Sequence, residues 1–261
     1  MRSATTVLQN EEAKDRAATL RNRARLSANK NLLFWYHELY RDQFKEFPNP
    51  AALSILEVGS GTSPLKQFLS NVLTSDVLDL DYFDLVFDCH DIDKLDAIKN
   101  ESLDVITLTN VLHHLKSPIG FLNRAANKLK PGGKVIATEP FFSLLSTLIF
   151  RYLHHEPVDL RIAEPELKNL HGPLASANIA LPWLIFLRRR DWVQRLNENY
   201  DVNRLSVRPF SAVSYMMTGG ISRKLPIPGL LYRVMFPMDL ALSRYLPWLC
   251  ASFFTLTMTR R

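Results

Sequence analysis

Apolar residues recur with two different periods along this chain, and the change of period divides it. Leu33, Tyr36, Tyr40, Phe44 and Phe47 fall three or four apart, the spacing that lines one face of a helix. They predict the second of two N-terminal helices spanning 11–47, joined near Ser27-Ala28-Asn29 and closed by Pro48-Asn49-Pro50. Downstream, short apolar runs alternate with helix-like stretches. Strands are expected at 54–58, 72–75, 85–87, 104–109 and 134–138, with helices at 64–69 and 118–130. Such alternation implies a parallel sheet covered by helices. Residues 1–50 thus read as a helical cap on an α/β domain that starts at residue 51.

The first of these strands carries the most information. Ile55-Leu56-Glu57-Val58 runs into Gly59-Ser60-Gly61-Thr62-Ser63-Pro64, where two glycines let the backbone take positive φ and approach a ligand. A dinucleotide fingerprint needs Gly-x-Gly-x-x-Gly, so that a helix N-terminus can hold a pyrophosphate. Pro64 stands where the third glycine would be and has no N–H to offer, which argues against a dehydrogenase binding NADH. Strand ends are where open α/β sheets bind ligands, and after the second strand stands Asp76, followed by Val77, with Asp79 as the alternative. An ionised carboxylate there accepts both hydroxyls of a ribose.

Glu57 ahead of Gly59-Ser60-Gly61 resembles motif I of the class I S-adenosylmethionine-dependent methyltransferases. Asp88-Cys89-His90-Asp91 after strand three, Asn110-Val111-Leu112-His113-His114 after strand four, and Leu129-Lys130-Pro131-Gly132-Gly133 before strand five are similar to further segments of that family, in its order. The chain looks like a member of its methyltransferase domain 11 group. The resemblance implies a Rossmann-like α/β fold: a mostly parallel seven-stranded sheet flanked by helices, with an antiparallel last strand. It implies S-adenosylmethionine as cofactor, with S-adenosylhomocysteine as product. It assigns the cofactor to Glu57, Gly59, Ser60, Gly61, Asp76, Val77, Asp88, Cys89, Asn110 and His113. Asp88 and Cys89 would meet the adenine, and Asn110 and His113 would lie beneath the methionine end. Ser63 departs from the family's third motif I glycine. The family's closing hairpin is expected near 204–208 and 253–259. Residues 141–200 then form an inserted lid, and 201–261 complete the sheet.

Methyl transfer from a sulfonium needs positioning and dryness more than it needs catalytic groups, and a base only where the acceptor must lose a proton. His154, His155 and Glu156 in the lid are the candidates for lining the acceptor pocket, one histidine acting as base. Adjacent histidines with one carboxylate match no known ligand spacing, so no metal is expected. Of His113 and His114, one is expected to pack and the other to face the cofactor.

Charge adds a partner. Residues 183–261 carry 12 basic and 4 acidic side chains, against 11 and 16 in 51–182. No nucleic-acid motif accompanies the Arg188-Arg189-Arg190 cluster, so nucleic acid is not an expected partner. The basic tail, rich in Met, Pro, Leu and aromatics over 216–249, suits core packing over the last strand or peripheral contact with a membrane. A small-molecule or lipid-like acceptor follows as the expected substrate. With no secretory leader visible and two distant cysteines, Cys89 and Cys250, the expected location is cytoplasmic, at most peripheral to the inner membrane face. A scaffold protein that keeps the cofactor pocket without catalysis is the alternative function.

Overall fold

The computed structural model describes residues 4–152, 156–168, 176–221 and 223–261. Two helices, α1 (Ala4–Ala28) and α2 (Lys30–Phe44), come first and part at Asn29. The Asn29 side chain accepts from Leu32 N, capping α2, and donates to Thr218 O, which anchors the junction to the far end of the chain. The α/β unit then runs β1 (Ile55–Val58), α3 (Leu65–Phe68), β2 (Val72–Asp76), β3 (Leu85–Val86), β4 (Leu103–Thr109), α4 (Pro118–Ala125), β5 (Leu129–Pro140) and α5 (Leu144–Tyr152). Short helices α6 (Leu181–Trp183) and α7 (Arg190–Gln194) lead to β6 (Ser206–Phe210). Then come α8 (Ser214–Met217), α9 (Gly229–Tyr245), α10 (Pro247–Cys250) and β7 (Phe253–Thr259).

The seven strands form one sheet in the order β3-β2-β1-β4-β5-β7-β6. The first five pair in parallel, and β7 runs antiparallel to both β5 and β6. The chain winds outward from β1 in both directions, so the β1–β4 boundary is the switch point where such sheets open a crevice. Successive residues of each central strand feed opposite layers, as a period of two requires. Ile55, Val105 and Ile136 pack under α2 with Trp35, Leu39 and Phe44, and α9 adds Tyr232 and Phe236. Leu56, Ile106 and Val135 face the other layer, with Phe121 and Leu122 of α4 and Trp192 of α7. The N-terminal helices thus supply one layer of the core.

Several boundaries differ from the sequence expectations, α1 beginning at Ala4 rather than near 11 among them, and three have a local reason. The helix expected to reach residue 130 ends at Ala125, because Lys128 turns inward and donates its Nζ to the carbonyls of Leu95 and Ile98. The Pro131-Gly132-Gly133 stretch lies inside β5, where Gly132 at φ 78° carries the chain across a register shift between Leu103 and Val105. The sixth strand begins at Ser206, since Val202–Arg204 forms a 3-10 turn capped by the Asp201 side chain.

One carboxylate organises the segment between β6 and β7. Asp239, buried on α9, accepts from the backbone N–H of Ala212, Val213 and Ser214 and from Ser214 Oγ. It thereby fixes the start of α8 beneath α9. Trp35 joins the two halves: its ring meets Phe210, Tyr215 and Phe253 edge-on, and its Nε1 donates to Ser211 Oγ. Trp35→Ala should destabilise the fold by roughly 3 to 5 kcal/mol, read as a lower urea midpoint at unchanged slope. A loss below about 1 kcal/mol would show that α2 is not part of the cooperative core.

Candidate functional site

Every parallel strand delivers its last residues to one edge of the sheet, and the polar groups singled out above collect there. At the end of β1, Glu57 is 1% exposed and its carboxylate accepts from Ser63 Oγ. Its Oε2 is buried with no hydrogen-bond partner. Burial pushes this carboxyl up to about 7; Ser63 and Ser60 oppose that shift and the nearby Asp76 adds to it.

The loop after β1 is held from both sides. Gly59 has φ 66°, and a Cβ on it would stand 2.7 Å from Val111 Cγ2 in the loop after β4. Gly61, at φ 42°, donates its N–H to Asp76 Oδ2 at 2.9 Å. Ser60 is buried, donates its N–H to Ser75 O and accepts from Ser75 N, so its side chain pins the loop to β2. Asp76 Oδ1 accepts from Leu78 N, and burial raises the Asp76 pKa. Each of its oxygens keeps a lone pair for a further donor. Val77 beside it is exposed. Tyr82 donates its hydroxyl to Gly61 O, and the Arg23 guanidinium of α1 lies 3.8 Å over its ring. The space beside the loop, about 30 Å³, has room for a single water.

The remaining expected positions line the same edge. Asp88 caps the 3-10 turn Cys89–Lys94 and pairs with His90 Nδ1 at 2.8 Å. Cys89 is largely buried, which pushes its thiol up to about 12. Asn110 sits at φ 58° with Oδ1 buried and unpartnered, a strained backbone at the end of β4. Two buried acceptor oxygens without donors, on Glu57 and Asn110, lie at the ends of the two strands that border the Gly59–Gly61 loop. These residues fit a ligand that brings ammonium or hydroxyl donors against a close-approaching backbone.

Sequence reasoning underrated the group beside Asn110. Glu139, at the end of β5 and fully buried, receives Val111 N and Leu112 N on Oε1 and meets His113 Nδ1 at 2.6 Å on Oε2. Glu156 reaches in from the segment that follows α5, 3.5 Å from His113 Nε2 and 3.8 Å from His114 Nε2. Burial disfavours a charged His113, but Glu139 and Glu156 outweigh it and raise its pKa to about 10. His113 is buried, and His114 beside it is only partly so, with its Nδ1 on Ser176 O. Of the three lid residues named from sequence, Glu156 joins this cluster, whereas His154 and His155 lie outside the described residues. The signal for Glu139 was available: an acidic residue closing an apolar strand, as Glu57 does.

A doubly wound sheet whose last strand is reversed, with a glycine loop at its switch point and acids at successive strand ends, defines a class I S-adenosylmethionine-dependent methyltransferase. A family model described as a methyltransferase domain matches residues 16–199, more than two thirds of the chain, and the protein belongs to that family. No curated protein matches it in sequence. Among solved structures it is similar to a SAM-dependent methyltransferase from Archaeoglobus fulgidus, at 13% identity over 85% of this chain and 94% of that one, TM-score 0.47. It is also similar to geranyl diphosphate C-methyltransferase from Streptomyces coelicolor A3(2), at 9% identity over 92% and 84%, TM-score 0.48.

Because the Glu57 pKa is raised on folding, the stability it contributes is full below its ordinary value of 4.5 and is lost as pH rises through about 7. Glu57→Gln should therefore flatten the fall in Tm between pH 5 and 8 at low ionic strength, by scanning calorimetry. A wild-type Tm that rises over this interval, or an unchanged slope in the variant, would contradict the assignment.

Proposed function

We propose that this protein transfers the methyl group of S-adenosylmethionine to a lipid-like acceptor presented at an anionic membrane surface. When bound, the cofactor supplies a sulfonium-activated methyl that an acceptor displaces in line. The chain's own part is to position it. Gly59 seats Val111 and so sets the path of the loop, Gly61 leaves room for the cofactor against the backbone, and Asp76 offers two acceptor oxygens to ribose hydroxyls. Glu57 and Asn110 offer buried oxygens on either side. Asp88 and Cys89, on the next strand end, suit the adenine, with the exposed Val77 beside them.

The observation that carries the acceptor class is an apolar face beside this edge. Along α9, Leu230, Leu231, Val234, Met238, Leu242 and Tyr245 are exposed at helical spacing, Leu230 by 79% and Tyr245 by 85%. α10 adds exposed Trp248 and Leu249, and α5 adds Leu144, Leu148 and Tyr152. These patches join, because α10 packs against both α5 and α9 and Trp248 stacks on Phe141 at the end of β5. Basic residues outnumber acidic ones along this part of the chain, although Arg244 pairs with Asp42 of α2 at 2.9 Å. Between Asp201 and Arg261 the only acidic residue is Asp239, which is buried, while Arg223, Lys224, Arg233 and Arg244 are exposed. An apolar helix face with Arg233 on the same helix and Arg223 and Lys224 ahead of it, and with Tyr and Trp at its end, matches the interfacial zone of an anionic bilayer. No helix among the described residues is long and apolar enough to cross a membrane. A cleft of about 410 Å³ on the lid side, lined by Trp183, Trp192, Leu160, Ile162, Arg188 and Arg189, suits an amphipathic molecule with an anionic end.

Sedimentation with phosphatidylcholine vesicles, with and without phosphatidylglycerol, tests the surface. The wild type should pellet with the anionic vesicles, and Val234→Glu together with Met238→Glu should lower that binding at least about tenfold. Equal binding to neutral vesicles, or no effect of the double substitution, would contradict it. In the same samples prepared from total membrane lipid, label from methyl-tritiated S-adenosylmethionine should enter the organic phase. Label confined to water-soluble products would reject the lipid acceptor.

A further inference from the structure

The cluster beside Asn110 has a geometry that methyl transfer alone does not require. His113 and His114 lie on one 3-10 turn, Leu112–His114, with ring centroids 4.2 Å apart. Each ring turns its Nδ1 back into the protein: His113 to the Glu139 carboxylate at 2.6 Å, His114 to the Ser176 carbonyl at 3.0 Å. A carbonyl only accepts, so His114 Nδ1 carries the proton, and in the neutral ring the lone pair sits on Nε2. The Glu139 carboxylate selects the same tautomer in a neutral His113. Both Nε2 atoms then face the Glu156 carboxylate, itself an acceptor, at 3.5 and 3.8 Å.

Two imidazole lone pairs and a carboxylate converging on one point make a cation site. We propose that His113, His114 and Glu156 bind one divalent transition-metal ion at the end of β4. The three ligand atoms lie within 4.8 Å of one another. Bonds of about 2.0–2.1 Å in a tetrahedral shell separate neighbouring ligand atoms by about 3.3 Å, close to the His113–Glu156 spacing. Two imidazoles favour zinc, iron, cobalt or nickel over magnesium or calcium. The outer shell is in place, since Glu139 orients His113 and is itself held by two backbone N–H groups, and Ser176 O orients His114. Among the described residues these three ligands are one short of a four-coordinate shell. The metal-free arrangement is a His113 imidazolium that spans Glu139 and Glu156, with a proton where the ion would be.

Titration of the full-length chelator-treated protein with Co²⁺, followed by its visible d–d bands, decides between them. One equivalent should bind. His114→Ala and Glu156→Gln should each weaken binding more than about tenfold, and Glu139→Gln, a positioning change, by about 10- to 100-fold. His90→Ala, in the other possible cluster of Asp88, Cys89 and His90, should leave it unchanged. Circular dichroism melts on each variant separate lost ligation from lost folding. Substoichiometric binding, binding that survives His114→Ala and Glu156→Gln, or binding lost in His90→Ala would overturn the site. The readout uses no S-adenosylmethionine, so it stands or falls apart from the methyl-transfer reading.

Discussion

Gly59 passes so close to Val111 that even a methyl group would overlap it, and the working edge of this protein is arranged around that contact. The contact locks the loop after β1 to the loop after β4, the two segments that border the switch point. With Gly59 fixed at positive φ, Gly61 is carried under Asp76 and Ser60 is pinned to Ser75. On the β4 side, Val111 and Leu112 hang from Glu139, and the same carboxylate holds His113. A single backbone approach thus sets the spacing between the acids of β1 and β2 and the imidazoles after β4.

The polar groups there are costly, and their expense argues for use. Glu57 keeps one carboxylate oxygen buried without a donor and carries a pKa lifted to about 7, while Asn110 adds a strained backbone and a second orphaned oxygen. A fold selected for stability alone would replace such groups. A ligand that brings the missing donors would account for them, and they lie at the edge where sheets of this kind open a crevice. The exposed apolar arc of α5, α10 and α9 adjoins this edge, since α10 packs against both helices and Trp248 meets Phe141 just past β5.

Much of this was legible in the sequence because it is local. The run Ile55–Val58 closed by Gly59 and Gly61 announces a buried strand and a ligand turn, and the helical spacing from Leu33 to Phe44 announces α2. The break was visible near Ser27-Ala28-Asn29, where the structure shows Asn29 capping α2. What was hidden depends on contacts between distant positions. Nothing near residue 139 says that its carboxylate will meet His113, and nothing near Glu156 says that it will meet His113 and His114 rather than act through its own neighbours. The early end of α4 is of the same kind, because carbonyls some thirty residues upstream draw Lys128 inward. The exposed face of α9 was hidden for another reason: an apolar period is the same whether the face meets a core or a bilayer.

The central claim is that the Gly59 loop admits S-adenosylmethionine against its backbone. Isothermal titration of S-adenosylmethionine into the wild type and into Gly59→Ala, both shown folded by circular dichroism, measures it most directly. One binding event near unit stoichiometry in the wild type, and none in the variant, is the result expected. No heat with the wild type, or equal affinity in a folded Gly59→Ala, would contradict the account.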